Sequence, residues 1–509
     1  MVLASPCHPP HPTMRQGNRV TQNPLETETS LQRAIDYQEH ALQAGGVSKA
    51  GSTLMAVAGS APAYSIAAST ALLIGAAGVG APAALLWCGI PMLGIAFAFS
   101  HLARVDSHAG ASFSWVARGL HPILGFFAGW ALVISATVFM VAGALPAGQM
   151  TVALFAPEQV NNTLLVTLVG AVWFLVMAAA VIFGVHTTER AQWIMSVIEV
   201  GILVVFAAIA IPRAITTYHH GAAFSWDWFG FGHLTTAGVF VSAALIAAFY
   251  YWGWDVTANL GEETKNAHKT TGMAGILGIV IVFILFEIYT TTTLVMLPGK
   301  TIEENSGNVL SVLGDAIMPG IGGKILIIAV ALSTIATLET TLVQVSRTLF
   351  AMGRDRTIPF AFGRINRKWK TPVFATLVVV VVSLLLFVLA NVFGGSVAQI
   401  LGWAVSSIGI QIAFYYSLAG LAVVIGFRKV IFTSAKNIIL IGIWPLVGAL
   451  FMMYIFVASI LSPDTEWQVK VLGLGLLVIG IVPLALFYRK AKDAYFSRRP
   501  LEVPEDFSA

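Results

Sequence analysis

The chain has 509 residues, 57% of them hydrophobic and only 10% charged, with a formal net charge of +4. A soluble globular chain would carry roughly 25% charged residues, so the composition excludes an ordinary soluble enzyme and points to the bilayer. So small a net charge gives no reason to expect a nucleic-acid partner, and two cysteines, Cys7 and Cys88, build neither a disulfide framework nor a thiolate metal cage.

Residues 1–49 are polar and of mixed charge and are expected to form a tail; no cleavable leader is expected in it, and either Met1 or Met14 would serve as the start. About twelve apolar runs of the ~20 residues needed to cross a bilayer follow. They lie near 51–76, 80–102, 123–148, 163–185, 191–212, 234–260, 272–297, 322–350, 372–393, 397–426, 437–461 and 468–488. Each is expected to be a helix, because lipid cannot satisfy free backbone groups and a barrel would show alternating segments about half this long.

Lysine and arginine alternate between successive connections. The loops "HLARVDSHAGASFSWVARGLHP", "HTTERAQ", "GEETKNAHKTTG" and "GFRKVIFTSAKN" are rich in them, as is the tail "YRKAKDAYFSRR". The stretch 353–372 alone holds Arg354, Arg356, Arg364, Arg367, Lys368 and Lys370. The intervening loops "APEQVNN", "PGKTIEENSGN", "NVFGGS" and "SPDTEWQVK" are neutral or acidic. By the positive-inside rule both termini are cytoplasmic, in a plasma (inner) membrane.

Two runs carry helix breakers. The first contains "AVAGSAPAYS", in which Pro62 removes a donor and Ser60 is a ready N-cap for a restarting helix. The sixth contains "FYYWGWD" at 249–255, with Gly253 among five aromatic rings. That run is centred near residue 247, so Gly253 lies ~9 Å along the helix axis from the midplane, short of the interfacial belt at ~15 Å. The rings at 249–252 are too central for a belt. Interrupted segments at matching positions of two halves point to a transporter binding site, where amides at a helix N-terminus take an anion and carbonyls at a C-terminus take a cation. The competing reading is that Gly and Pro merely kink or pack the helices.

Three carboxylates lie at bilayer depth: Glu199 in the fifth run, Glu287 in the seventh and Glu339 in the eighth. Such groups are costly and mark function, and each is a candidate for reversible protonation. Asp255, Glu262 and Glu263 end the sixth run and are expected to cap it and pair with Lys265 and inner-loop arginines. The histidines show no ligand spacing, so no metal or cofactor site is expected. H-E-x-x-H and G-x-S-x-G are absent, so no catalytic residue is assigned.

The stretches "FYYWGWDVTANLGEETKNAHKTTG", "SRTLFAMGRDRTIP" followed by "TP", and "AGASFSWVARGLHPILGFFAGW" occur in order at the sixth, eighth and third runs. In them the chain resembles the amino acid–polyamine–organocation superfamily of permeases, over nearly all of 50–490. The resemblance implies an all-α polytopic membrane protein with a five-plus-five inverted repeat (leucine-transporter-type fold), at 50–213 and 233–427. Two C-terminal helices at 436–489 and a tail at 490–509 would complete it. It implies a secondary transporter of amino acids or related amines working by alternating access, with a polyamine carrier, a sodium-coupled symporter and an exchanger as alternatives.

It implies roles for residues too. Amides of Gly59, Ser60 and Ala61 would hold a substrate carboxylate. Carbonyls around Phe249 and Tyr250 near Gly253 would receive an ammonium, and Phe249 or Trp252 would gate the site. Where the family has Gly-Ser-Gly and a β-branched residue, this chain has Gly-Ser-Ala-Pro, and Pro62 lacks one amide donor. Glu199 stands where some proton-coupled members carry a lysine, and is expected to couple a proton. Ser333, Thr334 and Thr337 offer oxygens for sodium instead, and Glu339 is expected near the cavity. The partners implied are a small-molecule substrate, a coupling ion and the lipid bilayer.

Overall fold

A computed structural model describes residues 41–216, 220–393 and 397–509. Residues 1–40, with Cys7 and Met14, lie outside it, as do His219 and positions 394–396 of the loop "NVFGGS". Among the described residues the chain is helical; its one β-type contact is a parallel bridge between Val47 and Thr264.

The apolar runs are helical over most of their length, the sixth only in part. In chain order the helices are α1 Lys49–Ser60, α2 Pro62–Ala77, α3 Ala81–Val105, α4 Ser112–Gly119, α5 Pro122–Phe155, α6 Thr163–Ile182 and α7 Val185–Thr216. There follow α8 Ala237–Tyr250, α9 Val256–Asn259, α10 Ala267–Met296, α11 Gly299–Glu304, α12 Val309–Ile317 and α13 Gly322–Arg354. The last are α14 Val373–Phe393, α15 Val397–Gly426, α16 Ala435–Leu461 and α17 Trp467–Phe496. Nine helical stretches among the described residues are long and apolar enough to span a membrane, and Ala237–Tyr250 and Val373–Leu389 are shorter apolar helices. The first of the nine, Lys49–Val105, covers 57 residues and includes the first two runs. Several helices outrun their apolar cores: α5 continues to Phe155 and α13 to Arg354, because a helix need not stop where hydrocarbon does. The nine-residue α12 has no counterpart among the expected segments, being too short to register as a span.

Three of the helix pairs in the core join runs that are five apart, alongside others such as α15 on α5 and on α16. α5 packs along α13, α3 along α10, and α2 along α8. Small residues let backbones meet where they cross: a Cβ on Gly148 would lie 2.0 Å from the Val166 carbonyl oxygen, and one on Gly170 2.3 Å from that of Ala144.

At the end of the bundle that carries the basic loop 353–372, polar contacts replace apolar packing. Arg347 of α13 and Glu263 form a fully buried bidentate pair at 2.9 and 3.1 Å. Arg354 grips Glu262 the same way at 2.9 and 2.7 Å. Val47 joins the segment after α9 through Val47 N–H to Glu263 O and Lys265 N–H to Val47 O, both 2.9 Å. The residues from 495 onward run back across this end. Tyr495 stacks on Phe113 at 4.4 Å, Arg498 bonds Asp355 at 2.5 Å, and Arg104 lies over Phe507 while donating to Ser508 O.

Candidate functional site

The first break is a single residue. α1 runs through Ser60, Ala61 adopts a left-handed conformation (φ 46°, ψ 63°), and α2 restarts at Pro62. Pro62 makes the right-handed helical conformation costly for the residue before it, and its own missing N–H is harmless at the first position of α2. Ala61 N–H closes α1 by donating to Val57 O and Ala58 O, both at 3.1 Å. The helix therefore persists through Gly59 and Ser60, and only Ala61 leaves the right-handed conformation.

The second break is wider. α8 ends at Tyr250, residues 251–255 form turns, and Gly253 takes φ +95°, a conformation open to glycine. The breaks meet backbone to backbone. A Cβ built on Gly59 would lie 2.2 Å from Gly253 O, and one on Gly253 would lie 2.1 Å from Gly59 O. Neither position has room for a side chain.

One side of this junction is polar. Glu199 of α7 accepts the Ala63 N–H through Oε1 at 3.0 Å, and Ser333 Oγ accepts the Tyr64 N–H at 3.2 Å. Thr337 Oγ1 donates to Gly59 O at 3.1 Å, and Ser65 Oγ to Ser60 O at 2.9 Å. The first turn of α2 is thus already served. Pro62 has no donor, and the next two amides face a carboxylate and a hydroxyl of the chain itself. A carboxylate is favoured there by the positive end of the helix dipole. Glu199 is fully buried; its Oε2 has no well-formed hydrogen bond, and the Ser333 hydroxyl faces the same carboxyl.

The other side is aromatic. Phe139 of α5 is the hub, with ring centroids 6.2 Å from Tyr64, 6.2 Å from Phe249 and 5.5 Å from Trp252; Tyr64 and Phe249 are 6.4 Å apart. All four rings are buried. Phe249 and Trp252, the two candidates for a gate, are both packed on Phe139. Tyr250 turns away: its hydroxyl lies 2.6 Å from Thr70 Oγ1 and its ring packs on Phe286. Tyr251 OH donates to Leu85 O.

Asp255 is buried rather than exposed at a helix end, and its bonding partner is Tyr415 of α15, not Lys265. Trp252 Nε1 donates to Tyr415 OH at 2.7 Å, and that hydroxyl donates to Asp255 Oδ2 at 2.9 Å. Gln344 and Tyr416 face the same carboxyl without well-formed bonds. This chain ties the second break to α15. Glu262 and Glu263 do pair with arginines, as expected, although Arg347 belongs to α13 itself.

Glu339 faces α7, where Gln192 donates to its Oε2 at 2.7 Å and to Ala336 O at 2.8 Å. Glu287 lines a separate cavity. Thr334 is spent inside α13, donating to Val330 O and Ala331 O. Among the described residues no group of three or more His, Cys, Asp or Glu is placed to hold a metal ion. Tyr64, Phe139, Gln192 and Tyr415 belong to the site or its supports and carry no local mark; aromatic residues inside an apolar run read like any lipid-facing ones.

A family model described as amino acid permease matches residues 51–482. The branched-chain amino acid permease BcaP of Bacillus subtilis (strain 168) is 24% identical over 316 residues, 59% of this chain and 65% of that protein. The low-affinity putrescine importer PlaP of Escherichia coli (strain K12) is 24% identical over 315 residues, 60% of this chain and 66% of that protein. The methylthioribose transporter of Bacillus subtilis (strain 168) is 24% identical over 290 residues, 54% of this chain and 60% of that protein. Each match spans just under two thirds of the relative's length.

Proposed function

The chain belongs to the amino acid permease family, and on that premise we propose that it is a secondary transporter that works by alternating access on amino acids or related amines. The observation that carries this is the junction of two helix breaks at Gly59 and Gly253, with buried rings packed at it and a buried carboxylate holding the start of α2. Broken helices with their ends facing a common point are how a membrane protein presents backbone polar groups to a small solute. Such a carrier needs no chemistry on its substrate.

Twelve crossings, repeats at 50–213 and 233–427, two further helices at 436–489 and both termini in the cytoplasm belong to the same reading. The packing of α5 on α13, α3 on α10 and α2 on α8 supports the repeats, since each pair is five runs apart. The basic loop 353–372 supports the orientation.

Glu199 is the proposed proton carrier, with the site formed from Gly59, Ser60, Ala61, Phe249, Tyr250, Trp252 and Gly253. One oxygen holds the start of α2 and the other, without a well-formed hydrogen bond, can accept a proton, so protonation would loosen the grip of Glu199 on the Ala63 amide. Sodium at Ser333 and Thr337 is the competing coupling; Ser333 already accepts the Tyr64 amide, whereas Thr337 donates to Gly59 O and keeps its lone pairs for a cation.

A second reading of the substrate has its own support. The two amides after Pro62 are occupied by Glu199 and Ser333, which disfavours a substrate carboxylate there and favours an amine held by its ammonium. Uptake into proteoliposomes tests both points. The proposal expects labelled substrate to follow an imposed inward proton gradient and ignore sodium, and Glu199→Gln to abolish the pH dependence. Unchanged uptake and pH dependence in Glu199→Gln would remove the proton-coupling role. Among leucine, serine and putrescine, preference for putrescine would favour the amine reading.

A further inference from the structure

Away from the helix breaks, a cavity of about 730 Å³ opens between α7, α10 and the segment 221–229. Its size is that of a small-molecule site, roughly 300–1,000 Å³. Ile211 and Ile215 of α7 and the rings of Phe224, Trp226 and Phe229 are part of its wall. Glu287 and Thr291 of α10, one helical turn apart and so on the same side of the helix, also line it. Both carboxyl oxygens of Glu287 and the Thr291 hydroxyl are buried without a hydrogen-bond partner, out of contact with the open space, so a ligand would meet them after a side-chain rotation into the cavity. A buried carboxyl with neither oxygen satisfied is costly, and the helix could have carried leucine there at no loss of packing. The wall is built rather than loose: Gly221 N–H donates to Val295 O at 2.9 Å and Ala222 N–H to Leu294 O at 2.8 Å, which pins the segment along α10. Glycine is required at 221, where a Cβ would lie 2.0 Å from Leu294 O.

We propose that this cavity is a second binding site, for a primary ammonium carried on an apolar body, with Glu287 and Thr291 taking the ammonium and the rings taking the body. An ammonium has three donors, matching the two carboxyl oxygens and the hydroxyl. Aromatic faces accommodate both the cation and its hydrocarbon. The site does not depend on the function assigned to the helix breaks. The ammonium is supplied either by a free amine or by phosphatidylethanolamine from the bilayer.

The test is calorimetric binding of phenethylamine to the full chain in phosphatidylcholine nanodiscs, with phenethyl alcohol as the uncharged control. The site predicts binding of the amine and at least about tenfold weaker binding of the alcohol. Glu287→Gln, which removes the charge, and Ala214→Trp, which fills the cavity from α7, should each weaken the amine about tenfold or more. Thr291→Val carries the test if Glu287→Gln fails to fold. Amine binding that survives in both variants belongs to the helix breaks and overturns the proposal, as does equal binding of amine and alcohol. In discs containing phosphatidylethanolamine, loss of phenethylamine binding would identify the lipid amine as occupant, and its persistence a free amine.

Discussion

Replacing Gly253 with alanine puts the account under direct load. The new methyl would sit 2.1 Å from Gly59 O, a backbone atom that cannot swing aside. Ordinary contact begins near 3.5 Å, so the two breaks would have to part by more than about 1 Å. Overpacking of this kind costs about 1–3 kcal/mol. A non-glycine residue in a left-handed conformation such as φ +95° adds about 1–2 kcal/mol. Gly253→Ala should therefore lose about 2–5 kcal/mol. Gly59→Ala meets the same wall from the other side, but Gly59 is helical and alanine recovers up to ~1 kcal/mol of helix propensity, so its loss should be smaller. Gly201 in α7 has no atom within 4 Å of its would-be Cβ, and Gly201→Ala should be neutral or stabilising. Thermal melts of the three variants in one detergent give the order Gly201→Ala, Gly59→Ala, Gly253→Ala. A Gly253→Ala protein as stable as Gly201→Ala would refute the close approach of the breaks.

Three further outcomes follow from the same geometry. Arg347→Met leaves Glu263 buried and unpaired and should cost about 3–5 kcal/mol in denaturant melts, while Arg347→Met with Glu263→Met should recover most of it. Tyr415→Phe removes the hydroxyl that links Trp252 to Asp255 and should cost about 1.5–3 kcal/mol, with a measurable rise in hydrogen exchange across 250–256. Ala61→Gly relieves about 1–2 kcal/mol of left-handed strain against a glycine entropy cost of about 0.5–1 kcal/mol, so it should melt at or above wild type, whereas Ala61→Val should melt well below.

The helices were legible because apolar runs of membrane length admit little else, and the breakers because Pro62 and Gly253 stand out inside such runs. That Gly59 and Gly253 touch was not, since it depends on how α1 and the turn after α8 cross. The extent of the first break was hidden too: Gly59 and Ser60 keep their helical bonds because Pro62 forces only the residue before it. Asp255 was expected among basic partners because sequence neighbours such as Lys265 are visible, whereas Tyr415 lies 160 positions away. Phe139 and Tyr64 gain meaning only when α5 and α2 converge on the break. Glu199, by contrast, announced itself as a lone acid in an apolar run, and it lies at that break.

The central claim is that the junction of breaks belongs to a carrier that exposes one site alternately to each side. Counterflow measures this most directly. Proteoliposomes preloaded with unlabelled leucine, serine or putrescine are diluted into trace labelled substrate of the same kind, with no ion gradient. The account predicts a transient accumulation of label above equilibrium for at least one of them, reduced in Gly253→Ala relative to Gly201→Ala. Label that only equilibrates for all three, or overshoots equally in both variants, would contradict it.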